Sequence, residues 1–180
     1  SPLRDEAGRQ IGIQGRETDI TERKKAEEAL KEEQLRFAKV AATMPGAITV
    51  LRTQPDGQFY LQYASQAFEE VFGLALADLS ANAAPIVQRV PPAEVRAILA
   101  QLTELAAALQ PVHMEFRYQH PQKGVVWLEN RAQPVRETDG SVVWYGVTSD
   151  VTERKQAEMA LREKLKLQEQ LEKTASVVPG

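Results

Sequence analysis

The sequence DVTERKQAEMAL occupies residues 150–161, and a near copy, DITERKKAEEAL, occupies residues 19–30. Nine of the twelve positions are identical, and the two copies begin 131 residues apart. A weaker echo follows each copy, KVAATMPG at 39–46 and KTASVVPG at 173–180. A repeat at this spacing is typical of an array of similar domains. The chain is therefore predicted to hold one full unit, preceded by the end of one unit and followed by the start of another.

Each copy carries residues that start helices. Asp150 is predicted to cap the free N–H groups of a first helical turn, and Glu153 to reach back to the cap residue. The following segment is rich in Ala, Glu, Lys and Leu, and it contains no Gly or Pro before the last two residues of the chain. This composition predicts a long helix. Because a β-like run, 142–147, ends in the cap, the strand and helix together are a candidate signal relay. The residues assigned to relay and cap are Asp150, Thr152, Glu153, Asp19 and Glu22.

Composition limits the classes of function. The 180 residues allow one domain with attachments, and the net charge of −3 with mixed-sign charge runs argues against a nucleic-acid surface. There is no cysteine, which excludes disulfides, Cys-ligated zinc and thiol-linked chromophores within this segment and fits a cytoplasmic location. No apolar run approaches the roughly 20 residues that cross a bilayer, and no signal-peptide pattern is present.

Between the two copies, the pattern predicts an α+β domain with one five-stranded antiparallel sheet and helices on one face, flanked by N- and C-terminal helices. Ser65 is predicted to cap the first short helix, and Gly73 to end it. Pro91 and Pro92 open a longer amphipathic helix that Pro111 closes. The predicted strands are 47–53, 59–63, 112–118, 125–135 and 141–148.

The helix predicted over 21–44 carries a seam with alternating spacings of four and three residues, interrupted by Glu33. Such a seam predicts a parallel dimeric coiled coil, and the alternative is that it packs on its own domain. The seam residues are Ala26, Leu30, Phe37, Val40 and Met44.

These features resemble a PAS domain, the sensory module of bacterial signalling kinases and cyclases. The closing DVTERK, residues 150–155, is the most specific element, and its duplication is similar to tandem PAS arrays. The sequence departs from the family at residues 91–94, PPAE, where a His-Pro-Asp-Asp element is common, and at Ser65, where Asn is common. The other matching stretches are Pro45-Gly46, Pro55-Asp56-Gly57, residues 63–68 with Phe72-Gly73, residues 115–117, residues 126–129, Pro134, Asp139-Gly140 and Gly146.

The resemblance implies four segments. Residues 1–18, including a β-like run at 10–15, would be the tail of an upstream PAS unit, and 19–44 a linker helix. Residues 45–149 would form the PAS domain, and 150–178 a second linker helix leading into a further unit. The implied partners are a second copy of the chain bound through these helices, the adjacent PAS units, and an output domain of histidine kinase or diguanylate cyclase type.

The resemblance also raises the question of a cofactor. Without cysteine, the flavin and coumaric-acid photochemistries of the family are excluded, and haem is disfavoured because 92–110 contains no His. His113 and His120 are interpreted as ordinary structural residues. A noncovalently bound flavin or small metabolite stays open, although the same residues would serve as a packed core. The candidate cavity walls are Ile48, Val50, Phe68, Ile98, Leu102, Met114, Phe116, Trp127, Leu128 and Trp144.

Three functions follow from this reading. The first is a regulatory module that relays a signal through its flanking helices, and the second is a ligand sensor. The third, an enzyme, is disfavoured because the sequence has no Gly-rich phosphate loop, no nucleophile–His–acid set and no metal cluster. The phospho-acceptor and ATP-binding motifs of a kinase and the signature of a diguanylate cyclase are likewise missing from this chain.

Overall fold

A computed structural model describes residues 14–79 and 82–177 of the chain. The chain divides into two compact units, one ending at Thr43 and the other beginning at Met44. The first unit contains helix α1 (Gln14–Thr43). Its seam residues Leu30, Phe37 and Val40 are all at least half exposed. Most of the predicted tail, 1–18, lies outside the described residues.

The start of α1 corrects two predictions. Asp19 and Glu22 lie inside this helix, so Asp19 is not its cap, and the last two residues of the predicted β-like run 10–15 are helical. The physical reason lies in what precedes each copy of the repeat. Arg and Glu at positions 16 and 17 are good helix formers, so the helix continues past Asp19 toward the N-terminus. Asp150, in contrast, is the last residue of strand β5, so no helix precedes it.

The second unit is built on a five-stranded antiparallel sheet, which confirms the predicted fold class. The strand order across the sheet is β2-β1-β5-β4-β3, so the first and last strands in the chain lie side by side at its centre. A bulge between Val50 and Leu51 shifts the register of the first hairpin. The strands are β1 (Ala47–Thr53), β2 (Phe59–Ala64), β3 (Val112–His120), β4 (Gly124–Arg136) and β5 (Val142–Asp150).

The segment between β2 and β3 supplies helices that pack on one face of the sheet, and it also corrects the role of Ser65. The Ser65 hydroxyl accepts the backbone N–H of Ile48 at 3.0 Å, so it joins the segment after β2 to β1 instead of capping α2. Leu109 ends α4 in a left-handed conformation, with φ 50° and ψ 42°. The helical elements are α2 (Ala67–Phe72), a 3₁₀ turn (Leu76–Leu79), α3 (Ala84–Val87) and α4 (Pro92–Ala108).

An aromatic group fixes α2 to the sheet. The rings of Phe68 and Phe72 stack at 4.6 Å, and Tyr118 of β3 meets Phe72 edge-on at 5.6 Å. The Tyr118 hydroxyl donates to the Phe72 carbonyl at 3.0 Å, and burial raises the pKa of this phenol to about 12. Gly73 closes the helix with φ 66°, where a Cβ would lie 2.7 Å from the His120 ring. The end of α2 is thus held directly against β3.

The last element is helix α5 (Thr152–Val177), which begins two residues after the end of β5. The predicted long helix after residue 150 is therefore present. Its leucines at 161, 165, 167 and 171 are each more than half exposed. The predicted role of α5 as a linker to a further unit stays a prediction.

Candidate functional site

The junction between β5 and α5 is bonded to the backbone of β4. Val151 donates its N–H to the Trp127 carbonyl at 2.8 Å, and its own carbonyl accepts the N–H of Lys155, the first bond of the helix. The Trp127 N–H in turn donates to the Thr152 hydroxyl at 2.9 Å. Both backbone groups of Trp127 are therefore satisfied by the two residues that connect strand to helix. A displacement of β4 at Trp127 would act directly on the first turn of α5.

Asp150 contributes to this junction in a way that refines its predicted role. Its carboxylate accepts the N–H of Thr152 at 3.0 Å and the Thr152 hydroxyl at 2.5 Å. Asp150 thus satisfies one free N–H of the first turn and fixes the rotamer in which Thr152 accepts from β4. Val151 occupies the cap position itself, because it separates the strand from the helix. Among the described residues, no hydrogen bond joins Glu153 to Asp150, so the predicted capping box does not form.

A group of charged side chains ties the first turn of α5 to the exposed face of the sheet. Glu115 of β3 accepts from Arg154 Nη2 at 2.6 Å and pairs through its other oxygen with Lys155. The Lys155 ammonium also lies 4.9 Å from the centroid of the Trp127 ring, a cation–π distance. The side chains of Glu115 and Lys155 are about three-quarters buried. We call Glu115, Trp127, Arg154 and Lys155 the junction cluster.

The electrostatics of the junction cluster follow from the helix direction. Two cations in the first turn of a helix face the positive end of its dipole, which is unfavourable unless a carboxylate is nearby. Asp150 and Glu153 supply carboxylates at the helix start itself, and Glu115 adds one from a neighbouring strand that pairs directly with both cations. Hydrogen bonds from Lys155 and then Arg154 lower the pKa of Glu115 to about 2, and the pairing with Glu115 raises the pKa of Arg154. The Glu115 carboxyl is therefore ionised at neutral pH.

Sequence reasoning did not assign Glu115, Arg154 or Lys155 to a site. Glu115 and Arg154 are 39 positions apart, and each looks like an ordinary solvated charge in its local pattern. Their only sequence signal was their place within stretches that match the family, 115–117 and 150–155. The pairing depends on the register of β3, β4 and β5, which local sequence does not specify.

A cavity lies between the other face of the sheet and the helices. Its volume is about 150 Å³, and its walls are almost entirely apolar. An engineered cavity of about this size binds benzene. The polar groups facing it are Thr49, Asn130 and Thr148, and the Asn130 amide donates to the Thr148 hydroxyl at 2.9 Å. The cavity is thus suited to a small neutral or apolar group.

Six of the ten predicted wall residues line the cavity. The four others are corrections. Ile48 and Val50 alternate with Thr49 and Leu51, which line the cavity, so they occupy the opposite face of β1. Trp127 lies under Lys155 in the junction cluster, and Leu128, fully buried, packs in the core beside the cavity. The predicted residues that do line it are Phe68, Ile98, Leu102, Met114, Phe116 and Trp144.

The two histidines have structural contacts. His113 lies on the exposed face of β3 and pairs with Glu129 at 2.7 Å, a contact that contributes to a lowered pKa of Glu129. His120 is buried, with Nε2 at 3.1 Å from the Glu70 carbonyl and Nδ1 accepting the N–H groups of Gln122 and Lys123. Neither lines the cavity. Their interpretation as structural residues agrees with these contacts.

Comparison with known proteins identifies this architecture. Residues 61–148 match the family model described as the PAS fold. These residues form a PAS domain. The chain is also 30% identical over 175 residues to the uncharacterized protein y4lL of Sinorhizobium fredii, a match that covers 93% of this chain and 19% of that protein. The chain thus spans about a fifth of the curated relative it matches.

Solved structures with the PAS fold extend the comparison. An RNA-binding light-oxygen-voltage receptor is 27% identical with a TM-score of 0.55, and the match covers 76% of this chain and 38% of that one. A sensory box histidine kinase/response regulator from Burkholderia thailandensis is 23% identical with a TM-score of 0.54, covering 73% of this chain and 97% of that one. These residues therefore share their fold with domains of a light-oxygen-voltage receptor and of a sensory box histidine kinase.

A helix that crosses a bilayer needs about 20 mostly apolar residues. None of the helices within 14–79 and 82–177 is both long and apolar enough to do so.

Proposed function

We propose that this PAS domain is a regulatory module of a multidomain bacterial signalling protein in the cytoplasm, joined to further PAS units and to an output domain of histidine kinase or diguanylate cyclase type. It dimerises through its flanking helices and relays conformational changes of the sheet to the output domain. The observation that carries the proposal is the junction itself. Backbone bonds and a partly exposed ion-pair cluster fasten the start of a 26-residue helix to β3 and β4.

The relay follows from which groups are joined. Trp127 offers its backbone to Val151 and Thr152 and its ring to Lys155, so one residue of β4 contacts the helix start in three ways. Glu115 adds a link from β3. An element that has two arrangements and is biased by a distant site is the physical requirement for such coupling. The first turn of α5 is our candidate, with the docked and released turn as its two arrangements.

The relay is tested with Glu115→Gln in the intact protein. We expect this change to weaken docking of the first turn and to shift the output activity or its response to stimulus by severalfold. The matched control is Glu158→Gln, since Glu158 also pairs with Arg154, at 2.9 Å, but lies on α5 itself and does not join it to the sheet. Equal effects of the two variants, or none, would count against the relay.

Dimerisation is tested on α1. Phe37 is half exposed and belongs to the predicted seam, whereas Leu35, 62% exposed, lies on the opposite side of the same helix. We expect Phe37→Glu to weaken dimerisation at least tenfold in sedimentation experiments, because it places a charge in an apolar seam. Leu35→Glu adds the same charge outside the seam and should leave the dimer intact. A dimer that survives Phe37→Glu unchanged would place the contact elsewhere.

The cavity favours a second candidate function, a sensor that holds a noncovalent small molecule. A space of about 150 Å³ between the sheet and the helices is more than close packing requires. Native mass spectrometry of protein purified from its own host tests this candidate directly. A stoichiometric bound molecule would support a sensor, and a ligand-free spectrum after purification without denaturants would favour the relay alone.

A further inference from the structure

The cavity continues into a groove that opens at one end of the sheet. The groove lies between the turn after β1 and the C-terminal half of α4, and it shares four wall residues with the cavity. These shared residues are Phe59, Leu99, Leu102 and Trp144. Since the same side chains bound both spaces, the cavity and the groove are directly adjacent.

One residue differs in charge from everything else along this path. Among the described residues that line the cavity and the groove, Arg136 is the only one with a charged side chain. It is the last residue of β4 and shares the alternation of Asn130 and Ala132, which places it on the cavity-facing side. A cation at the mouth of an apolar channel is a charge pattern that fits an amphipathic anion.

The contacts of Arg136 leave it capacity to bind. Its Nη2 donates to the carbonyl of Ala107 in the last turn of α4 at 3.3 Å, and a guanidinium has five N–H donors in all. Within 14–79 and 82–177, no carboxylate lies within ion-pairing distance of Arg136, whereas Arg52 is paired with Asp139 at 2.6 Å. The structural alternative is that Arg136 serves only to bind the end of α4.

We propose that the cavity and groove together bind a small amphipathic carboxylate. Its apolar body, about the size of one aromatic ring, occupies the cavity, and its carboxylate lies at the groove mouth on Arg136. The proposal rests on the sensor function suggested above and adds the chemical class of ligand and the route by which it enters. The interior offers a ligand only neutral polar groups, Thr49, Asn130 and Thr148, so a charge on the buried end is excluded.

The test uses ω-phenyl alkanoates with two to five methylene groups and, for each, the neutral alcohol of the same length. Binding to the chain is measured by calorimetry and by NMR of the Met114 and Ile98 methyl groups. We expect at least one acid to bind saturably and at least fivefold more tightly than its alcohol. If no acid binds, or if acid and alcohol bind equally, the proposal is wrong.

Three variants locate the site. Arg136→Gln retains a donor for the Ala107 carbonyl. It should lower the affinity for the acid to that for the alcohol and leave the affinity for the alcohol unchanged. Arg96→Gln removes an exposed charge from α4 that lines neither space and should change neither affinity. Ile98→Trp fills the cavity and should abolish binding of both compounds. Retained preference for the acid in Arg136→Gln would overturn the assignment even if the cavity variant does not fold.

A failure of the carboxylate proposal can be distinguished from a failure of the proposed relay. Ligand binding is measured on the isolated chain, whereas the relay is measured through Glu115 on the opposite face of the sheet. A chain that binds no carboxylate but whose output responds to Glu115→Gln would reject this inference and retain the proposed function.

Discussion

Replacing Thr152 with valine tests the junction at a single oxygen atom. Valine has nearly the shape of threonine and a similar helix propensity, so packing and local preference change little. What is lost is the hydroxyl that accepts the Trp127 N–H at 2.9 Å and donates to Asp150 at 2.5 Å. The Trp127 N–H, partly buried, is then left without its acceptor.

The expected magnitude follows from these two bonds. Leaving a buried donor unsatisfied costs about 1–3 kcal/mol, and the hydroxyl–carboxylate bond is exposed and adds less. Because the Trp127 N–H is only partly buried, we expect Thr152→Val to destabilise the junction by about 1–2 kcal/mol. A loss of this size corresponds to a fall in Tm of about 2–8 °C for a chain of this length.

Amide hydrogen exchange measures this loss of stability at the Trp127 N–H itself. In Thr152→Val, the Trp127 amide and the first-turn amides of α5 should exchange about 5–30 times faster, the factor that corresponds to 1–2 kcal/mol. Thr174→Val is the matched control, since Thr174 lies on the same helix and its hydroxyl bonds only the Gln170 carbonyl at an exposed position. It should change stability by less than about 0.5 kcal/mol. Equal exchange of the Trp127 amide in both variants would refute the reasoning.

Two further predictions concern pH and backbone strain. The pKa of Glu115 is depressed from 4.5 to about 2 in the folded protein, so its contribution is complete above pH 4.5 and is lost as the pH falls toward 2. The difference in unfolding free energy between the wild type and Glu115→Gln, measured in urea, should therefore shrink between about pH 5.5 and pH 3, and a constant difference would contradict the assignment. Leu109 has a φ of 50°, a conformation that costs a residue with a Cβ about 1–2 kcal/mol. Leu109→Gly should thus be more stable than Leu109→Ala by about 1 kcal/mol, and the opposite order in thermal unfolding would show that the left-handed turn is not strained.

Local pattern determined much of the architecture. The five β-like runs and the turns between them predicted the five-stranded antiparallel sheet. The flanking prolines predicted helix α4, and the duplicated DVTERK stretch located the start of α5. These signals are local because turn residues, helix formers and alternation act over a few positions. The same locality explains the error at Asp19. The repeat carries identical cap residues twice, and the segment before each copy decides whether they start a helix.

The site depended on which face of each strand meets the helices. In β1, the run AITVL has apolar residues on both faces, so alternation did not show that Thr49 and Leu51, not Ile48 and Val50, line the cavity. Trp127 looked like a core residue and instead supports Lys155. Glu115 meets Arg154 only because three strands pair in one register. The sequence by itself determined the elements and their order, because those depend on neighbours along the chain. Tertiary structure alone decided the faces, the junction cluster and the cavity with Arg136 at its mouth, because those depend on pairings between residues far apart in sequence.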